Sequence, residues 1–176
     1  FLSYIFAKIY NLMKPIFIVL LPVILFASCS KNKDECRYDP CETSAPAAEV
    51  AQLESWLASA SITATKHCSG MYYVIDAPGS GGNTPAICSF VSVKYKGQLT
   101  NGTVFDQATN PVSFQLGRLI ESWKKGIPLI KTGGKIKLYC PPSLAYGSQD
   151  IRDGSGNVVI PANSILIFEI ELNGVF

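Results

Sequence analysis

The hydrophobic residues between positions 70 and 176 alternate with polar residues in several short runs. The apolar positions of four such runs are Val91, Val93 and Tyr95; Val112, Phe114 and Leu116; Ile136, Leu138 and Cys140; and Leu166, Phe168, Ile170 and Leu172. Alternation with a period of two is typical of strands that bury one face. The Asn101-Gly102 and Gly133-Gly134 pairs between the runs are typical of tight turns. The pattern therefore predicts several antiparallel strands joined by short connections.

Two segments show the spacing of helices instead. Apolar side chains recur at helical spacing between residues 46 and 62, which predicts an N-terminal helix ahead of the sheet. A second helical face comprises Leu119, Ile120, Trp123 and Ile127. Pro128 should end or kink this second helix, so it is expected to be short. Together these elements predict an α+β domain in which a curved antiparallel sheet wraps around one short central helix.

Composition narrows the chemistry of the chain. At 176 residues it has room for one domain of ordinary size and an appendage. The formal net charge is +2 and the charged residues are scattered without a long Lys or Arg block, which argues against nucleic acid as a partner. His67 is the only histidine, so histidine-based catalytic triads and most zinc sites are excluded. The sequence therefore predicts neither a metal nor a cofactor.

Residues 1–28 are typical of upstream sequence followed by a secretory signal peptide. A basic start at Met13-Lys14 precedes an apolar run. The run ends in Leu25-Phe26-Ala27-Ser28-Cys29, which resembles a bacterial lipobox, where the signal is cut before a cysteine that carries lipid. A transmembrane helix is the alternative, but the run is interrupted by Pro22 and is shorter than the roughly 20 residues needed to span a bilayer. The sequence therefore predicts lipid attachment at Cys29.

Residues 29–45 are polar at first and then rich in small residues and prolines. They are predicted to form a flexible tether between the lipid and the domain. Ser30, with a lysine and acidic residues after it, resembles the sorting signals of outer-membrane or surface lipoproteins, although a solvated spacer has the same composition. The predicted location is the bacterial cell envelope, on the outer membrane.

The cysteines are expected to form disulfides, because a secreted domain folds in an oxidising compartment. Once Cys29 carries lipid, the remaining cysteines are Cys36, Cys41, Cys68, Cys88 and Cys140. An odd number leaves at least one free thiol, and several pairings are open. We expect Cys68 with Cys88 and Cys36 with Cys41, and a free Cys140, since Cys140 is in phase with the core-facing positions of its strand. A metal site is the alternative, but the gap between Cys36 and Cys41 is wider than a zinc knuckle usually has.

A set of short motifs follows in order along residues 66–176. The motifs are Tyr95-Lys96-Gly97, Phe105-Asp106, Gly117, Trp123, Leu144-Ala145-Tyr146-Gly147, Ile160-Pro161 and Phe168. Their order and spacing resemble those of the FKBP-type peptidyl-prolyl cis/trans isomerases over close to one whole domain. The resemblance implies the fold of that family and a bowl-shaped binding site lined by aromatic residues.

The resemblance also implies roles for individual residues. The implied catalytic residues are Tyr95, Phe105, Asp106, Tyr146 and Phe168. The implied substrate-binding residues are Val112, Phe114, Leu119, Ile120, Trp123 and Ile160. In the family, the tyrosine at the position of Tyr146 donates a hydrogen bond to a ligand carbonyl, and the acid at the position of Asp106 lies beside Tyr95. A purely structural role for Asp106, and an ordinary core role for Trp123 and Phe168, are the alternatives.

Two departures from the family pattern concern the site. Val112 stands where relatives often have an aromatic residue, and the loop from 148 to 159 is longer than in the small family members.

The function implied is acceleration of Xaa-Pro bond rotation in proteins that fold outside the cytoplasm. This rotation breaks amide resonance and requires no nucleophile. An apolar bowl can favour the twisted amide over the planar one, because the planar form is more polar and is better stabilised by water. Macrolide inhibitors of the FKBP class are expected ligands. The alternatives are a catalytically weak chaperone or binding module with the same bowl, and a surface lipoprotein that binds a small apolar nutrient.

Overall fold

The computed structural model describes residues 36–82 and 84–176. The predicted signal peptide, the predicted lipid-bearing Cys29 and the first part of the predicted tether lie outside these residues and stay predictions. In the described ranges, no helix combines the length and the apolar character that crossing a bilayer requires.

The described part of the chain contains two α-helices and a series of strands. In chain order these elements are α1 (Ala47–Ser59), β1 (Thr65–Lys66), β2 (Tyr72–Ala77), β3 (Phe90–Leu99), β4 (Val104–Gln115), α2 (Glu121–Gly126), β5 (Lys135–Cys140), β6 (Ile151–Arg152), β7 (Val158–Ile160) and β8 (Leu166–Val175). Short 3-10 turns occupy Leu116–Arg118, Ile127–Leu129 and Pro142–Leu144.

Six of the strands form one antiparallel sheet in the order β1-β2-β5-β8-β3-β4. Strand β8 lies inside the sheet, with β5 on one side and β3 on the other. The predicted alternation is confirmed on these strands, where the buried inner positions are Ile136, Leu138, Cys140, Leu166, Phe168, Ile170 and Leu172. Each fully buried side chain of this size contributes roughly 1.5–3 kcal/mol to folding, so the inner face of β5 and β8 forms the centre of the core.

Helix α2 packs against this inner face. Its six residues are too few for a helix that is stable alone, so contacts with the sheet must hold it. Trp123 and Ile127 are buried there. A Cβ atom at Gly126 would lie 2.5 Å from Leu138 Cδ2, so only glycine lets the helix approach β5 this closely. Pro128 falls in the 3-10 turn that directly follows the helix, as its position predicts. The predicted α+β architecture, with a sheet around one short helix, is confirmed.

Helix α1 covers part of the opposite face of the sheet. Leu53 and Leu57 form a second apolar cluster with Tyr139, Ile165 and Ile167. Tyr139 and Ile167 point away from α2 because they alternate with inward-facing neighbours along β5 and β8. The predicted N-terminal helix is therefore confirmed, and it is part of the domain.

The disulfide pairing predicted from the sequence is wrong. The structure joins Cys36 to Cys88, with Cα atoms 5.3 Å apart, and Cys41 to Cys68, with Cα atoms 5.5 Å apart. The reason is the path of residues 36–45, which fold back against the domain, so that the amide of Ala45 donates to the carbonyl of Ser69 at 2.8 Å. The part of the predicted tether that the structure describes is therefore crosslinked to the domain at two points.

Cys140 is free and fully buried, as predicted. Burial raises the pKa of its thiol to about 12, and a hydrogen bond with Ser122 opposes this rise. The thiol is therefore protonated at neutral pH, and it behaves as a small apolar core residue.

The long loop between residues 148 and 159 contains a hairpin made of β6 and β7. Asp153 organises its turn, because its Oδ1 accepts hydrogen bonds from the amides of Ser155 and Asn157, both at 2.9 Å. The sequence does not predict this hairpin.

Candidate active site

An apolar cavity of about 150 Å³ lies between α2 and the sheet. Its lining consists of Tyr95, Asp106, Phe114, Leu119, Ile120, Trp123, Tyr146 and Phe168. These residues come from β3, β4, the approach to α2, α2 itself, the turn after β5 and β8. Eight of the predicted site residues therefore meet at one place although they are far apart in the sequence.

Trp123 forms the floor of this cavity. The Trp123 indole is 5% exposed and meets three other rings edge to face. Its centroid lies 5.2 Å from that of Tyr95, 5.4 Å from that of Phe168 and 6.2 Å from that of Phe114. Aromatic pairs of this geometry contribute about 0.5–1.5 kcal/mol each beyond their burial. The buried indole N–H has no hydrogen-bond partner in the described part of the chain, so packing alone fixes the ring.

Phe105 packs against one of the rings that line the cavity. Its ring meets that of Phe168 edge to face, with centroids 5.7 Å apart. This contact depends on Gly97, where a Cβ atom would lie 2.6 Å from the Phe105 ring and 3.0 Å from Phe168. The glycine of the Tyr95-Lys96-Gly97 motif therefore makes room for the two rings to pack.

Tyr95 and Asp106 form the polar side of the cavity. The Tyr95 hydroxyl donates a hydrogen bond to Asp106 Oδ2 at 2.6 Å. Partial burial, followed by the hydrogen bond and the charge of Asp106, raises the pKa of Tyr95 well above its usual value. The phenol therefore keeps its proton at all physiological pH values. Among the lining residues, Asp106 is the only carboxylate and there is no histidine, so the lining has no pair of groups suited to general acid and base catalysis.

Tyr146 lies at the rim, where 40% of its surface is exposed. Its pKa is raised by partial burial first and by the charge of Asp106 second, so its hydroxyl is protonated. Among the described residues this hydroxyl has no hydrogen-bond partner, and it can donate to a bound molecule.

A backbone donor lies on the other side, at Ile120. Helix α2 begins at Glu121, and Ile120 is its N-cap residue in an extended conformation. The Ile120 carbonyl accepts hydrogen bonds from the amides of Trp123 and Lys124. Within the described ranges the Ile120 amide has no partner of its own, so it can donate a hydrogen bond to a bound carbonyl.

Three predicted site residues do not line the cavity. Phe105 contacts the Phe168 ring edge to face, and Ile160 is a core residue with 3% exposure. Val112 pairs with Val93, whereas the next paired residue of β3, Tyr95, is opposite Ala108. Strand β4 therefore carries a bulge between Ala108 and Val112. Val112 and Ile160, which were predicted to contact the substrate, are thus not among the residues that line the cavity: Val112 follows the bulge in β4, and Ile160 is packed in the core.

Sequence reasoning missed the part played by Ser122. This residue is fully buried, and its hydroxyl donates to the carbonyl of Leu144 at 2.9 Å. The bond ties α2 to the turn that leads to Tyr146. The small polar side chain of Ser122 directly before Trp123 was a signal for a buried hydrogen bond, but nothing in the sequence identified the Leu144 carbonyl as its partner.

A wider depression of about 240 Å³ lies over the outer face of the sheet. Its charged lining includes Lys94, Lys96, Lys135, Lys137, Asp76, Glu169 and Glu171. Several of these charges pair across strands, as Lys96 does with Glu169 at 3.3 Å. The charged lining of this depression favours water, whereas the aromatic and aliphatic lining of the smaller cavity beside Trp123 favours an apolar ring.

The chain is similar in sequence to proteins of one known family. A sequence profile described as FKBP-type peptidyl-prolyl cis-trans isomerase matches residues 81–173, which is more than half of the chain. The chain is 45% identical over 111 residues to the FKBP-type peptidyl-prolyl cis-trans isomerase FkpA of Buchnera aphidicola subsp. Schizaphis graminum. That match covers 61% of this chain but 42% of the relative, so the chain spans less than half of the length of that protein.

Two solved structures are similar in fold as well as in sequence. The crystal structure of FkpA from Escherichia coli matches with a TM-score of 0.61 and 35% identity, over 73% of this chain and 60% of that one. A peptidyl-prolyl cis-trans isomerase from Pseudomonas syringae matches with a TM-score of 0.62 and 31% identity, over 76% of this chain and 98% of that one.

Proposed function

Because the chain belongs to the family of FKBP-type peptidyl-prolyl cis-trans isomerases, we propose that it accelerates cis/trans rotation of Xaa-Pro bonds. The observation that carries this proposal is the cavity whose floor is Trp123 and whose walls are aromatic and aliphatic residues. Apolar cavities of about 150 Å³ are large enough to hold benzene. A proline ring, which is smaller, therefore fits in the cavity, against the surface that Trp123 and Phe168 form together.

The catalytic step is rotation about a bond with a barrier of about 18–20 kcal/mol. Planar amides are stabilised by water, because resonance places charge on the carbonyl oxygen. Inside the cavity most of this water is excluded, so the planar form loses more stabilisation than the twisted form. Preferential binding of the twisted form lowers the barrier. A reduction of about 5.5 kcal/mol corresponds to a roughly 10⁴-fold acceleration.

Two donors orient the substrate. The Tyr146 hydroxyl and the Ile120 amide approach the cavity from different elements and have no partner among the described residues. Each can hold one carbonyl of the peptide, so that the chain on one side of the Xaa-Pro bond is fixed while the other side rotates. Asp106 holds the Tyr95 hydroxyl in place through the 2.6 Å hydrogen bond. Phe105, which was predicted to be catalytic, packs edge to face against Phe168, and we propose that it acts by supporting that ring.

The proposed substrates are proline-containing proteins during folding, and the proposed inhibitors are macrolides of the FKBP class. The chain is further proposed to reach the cell envelope through the signal segment and to be anchored there by lipid on Cys29. The two disulfides of the described residues support an oxidising compartment. Loss of the chain from the membrane fraction on Cys29→Ser supports the anchor, and unchanged membrane fractionation of that variant would contradict it.

The isomerisation rate of a short Xaa-Pro peptide tests the activity directly. The purified chain with both disulfides formed is expected to accelerate the reaction well above its rate in buffer. Tyr146→Phe and Phe168→Ala are expected to be slower than the parent, whereas Tyr72→Phe, which removes a hydroxyl bonded to Glu54 far from the cavity lining, is expected to match it. A parent rate equal to that of buffer would contradict the proposal and favour a binding module or chaperone.

A further inference from the structure

Lys125 is a fully buried lysine on α2, two residues after the tryptophan that forms the floor of the cavity. It is 1% exposed, and lysine is almost never buried to this extent unless its charge is paired. Its ammonium group lies 2.8 Å from the Tyr38 hydroxyl and 3.2 Å from Glu121 Oε2. The same ammonium lies 5.0 Å from the centre of the Tyr38 ring, within the range of a cation–π contact.

Tyr38 contacts these charged side chains from a segment that lies outside the part of the chain that matches the family. It precedes residues 81–173, which match the family. Its hydroxyl accepts from Lys125 and donates to Glu121 Oε2 at 2.8 Å. Glu121 and Lys125 are one turn apart on α2, so a single phenol bridges two of the three charged side chains of this helix. Lys124 adds a third bond, to Glu121 Oε1 at 2.7 Å.

The segment that carries Tyr38 is fixed at both ends. We call residues 36–45 the strap, since it is joined to the domain by the Cys36–Cys88 and Cys41–Cys68 disulfides. The first of these disulfides adjoins the approach to α2. Cys88 follows Ile87, whose carbonyl oxygen would lie 3.0 Å from a Cβ atom at Gly117, in the turn that leads to Leu119.

These contacts reach α2 from one side while the cavity lies on another. Glu121 and Lys125 are absent from the lining of the cavity, and Trp123 belongs to it. The helix has only six residues and cannot hold its own position. Removal of one hydrogen-bond partner of a buried charged group leaves a donor of that group unsatisfied, which is costly enough to move the element that carries it. The contacts of the strap can therefore fix the position of α2, and with it the position of Trp123.

We propose that the strap is a positioning element of the isomerase site, in which Tyr38 acts through Lys125 and Glu121 to hold Trp123 as the floor of the cavity. The activity part of this proposal rests on the proposed function, whereas the position of Trp123 does not. Tyr38 touches neither the cavity nor the substrate, so it is a positioning residue.

The test uses Tyr38→Phe, Lys125→Met and the double variant, all in a Trp56→Phe background in which Trp123 is the only tryptophan. Tyr38→Phe keeps the ring and both disulfides but leaves the ammonium without its phenol partner. We expect kcat/KM to fall about tenfold, less than the roughly hundredfold that a displacement of about 1 Å can cost. The larger share should be in KM, because the floor contacts the proline ring in the ground state as well. Emission from Trp123 should shift to longer wavelength.

The double variant separates positioning from a general loss of structure. Since it replaces both the ammonium and the hydroxyl by apolar groups of similar shape, it is expected to recover most of the activity and the emission. Tyr72→Phe is the matched control, because it also removes a phenol bonded to a glutamate, here Glu54 at 2.5 Å. This control should leave kcat/KM and Trp123 emission unchanged.

Three results would overturn the proposal. One is a Tyr38→Phe variant with the kcat/KM, KM and emission of the Tyr72→Phe control. Another is a double variant whose activity and Trp123 emission are no closer to the parent than those of Tyr38→Phe. If Tyr38→Phe does not fold, a double variant that also fails to fold would overturn the proposal in the same way. The third applies if the parent chain has no isomerase activity. The proposed function then fails, and unchanged Trp123 emission in Tyr38→Phe would overturn the role of the strap separately.

Discussion

The rings of Trp123 and Phe168 meet edge to face with their centroids 5.4 Å apart. One ring belongs to the short helix α2 and the other to β8, inside the sheet, so the contact joins the two elements that enclose the cavity. Phe105 also meets the Phe168 ring edge to face. The same rings therefore complete the core and form the binding surface, which means that changes at these positions should affect stability and activity together.

Truncation of Phe168 should show this double effect. Its side chain is 2% exposed, and replacing a buried phenylalanine by alanine costs about 3–5 kcal/mol. We expect Phe168→Ala to lower the unfolding free energy, measured in urea, by an amount in this range. Phe176→Ala is the matched control, because Phe176 is 77% exposed and surface changes stay within about 0.5 kcal/mol. Equal stability of the two variants would contradict the core role of Phe168.

A methyl group at Gly97 should disturb the ring pair behind the cavity. The added Cβ atom would lie 2.6 Å from the Phe105 ring, and overpacking of this kind costs about 1–3 kcal/mol. Gly97→Ala should therefore lower the melting temperature and the isomerisation rate. Gly154→Ala serves as the control, since a Cβ atom there meets nothing within 4 Å. A Gly97→Ala variant that is as stable as Gly154→Ala would show that the rings adapt without cost.

Glu121 should make stability depend on acid pH. Partial burial alone would raise its pKa, but hydrogen bonds from Lys124, Tyr38 and Lys125 outweigh burial and lower the pKa to about 2, from 4.5. A folded-state pKa below the unfolded value means that the stabilisation is complete above about pH 4.5 and is lost as the pH falls towards 2. Urea unfolding across this window should show a shallower loss of stability in Glu121→Gln than in the parent. Parallel pH profiles would contradict the pairing.

The Tyr146 hydroxyl should matter for catalysis and not for folding. It has no partner among the described residues, so its removal breaks no bond of the free protein. Tyr146→Phe should keep the unfolding free energy of the parent and lose about three- to tenfold in kcat/KM, the value of one hydrogen bond to the substrate. Isomerisation kinetics and urea unfolding of the same preparation would check both halves. An active but destabilised variant would reverse the assignment.

The sheet and its turns could be predicted because their pattern is local. Strands that bury one face must alternate, and this alternation places Leu138 and Phe168 inward without any knowledge of their neighbours. The Tyr95–Asp106 pair was predicted by the family resemblance, whereas the turn at Asn101-Gly102 predicted only that β3 and β4 are neighbours.

The remaining features depend on contacts between distant segments, which a single sequence does not record. Lys125 has the sequence pattern of a solvated lysine, and only the folded position of Tyr38 explains its burial. The disulfide pairing follows from the path of the strap, and neighbouring cysteines in the sequence gave the wrong partners. Val112 is displaced by a bulge in β4, which alternation alone cannot reveal.

The central claim is that the cavity catalyses the cis/trans isomerisation of Xaa-Pro bonds and does not merely bind peptides that contain them. Exchange NMR on an Ala-Pro peptide at equilibrium, with the chain far below the peptide concentration, tests this claim most directly. Uncatalysed exchange takes tens to hundreds of seconds, so cross-peaks between the cis and trans proline signals within a mixing time of about a second require a catalyst. We predict such cross-peaks with the parent chain and weaker ones with Tyr146→Phe. Peptide signals that broaden on binding without any cis/trans cross-peak would contradict the account.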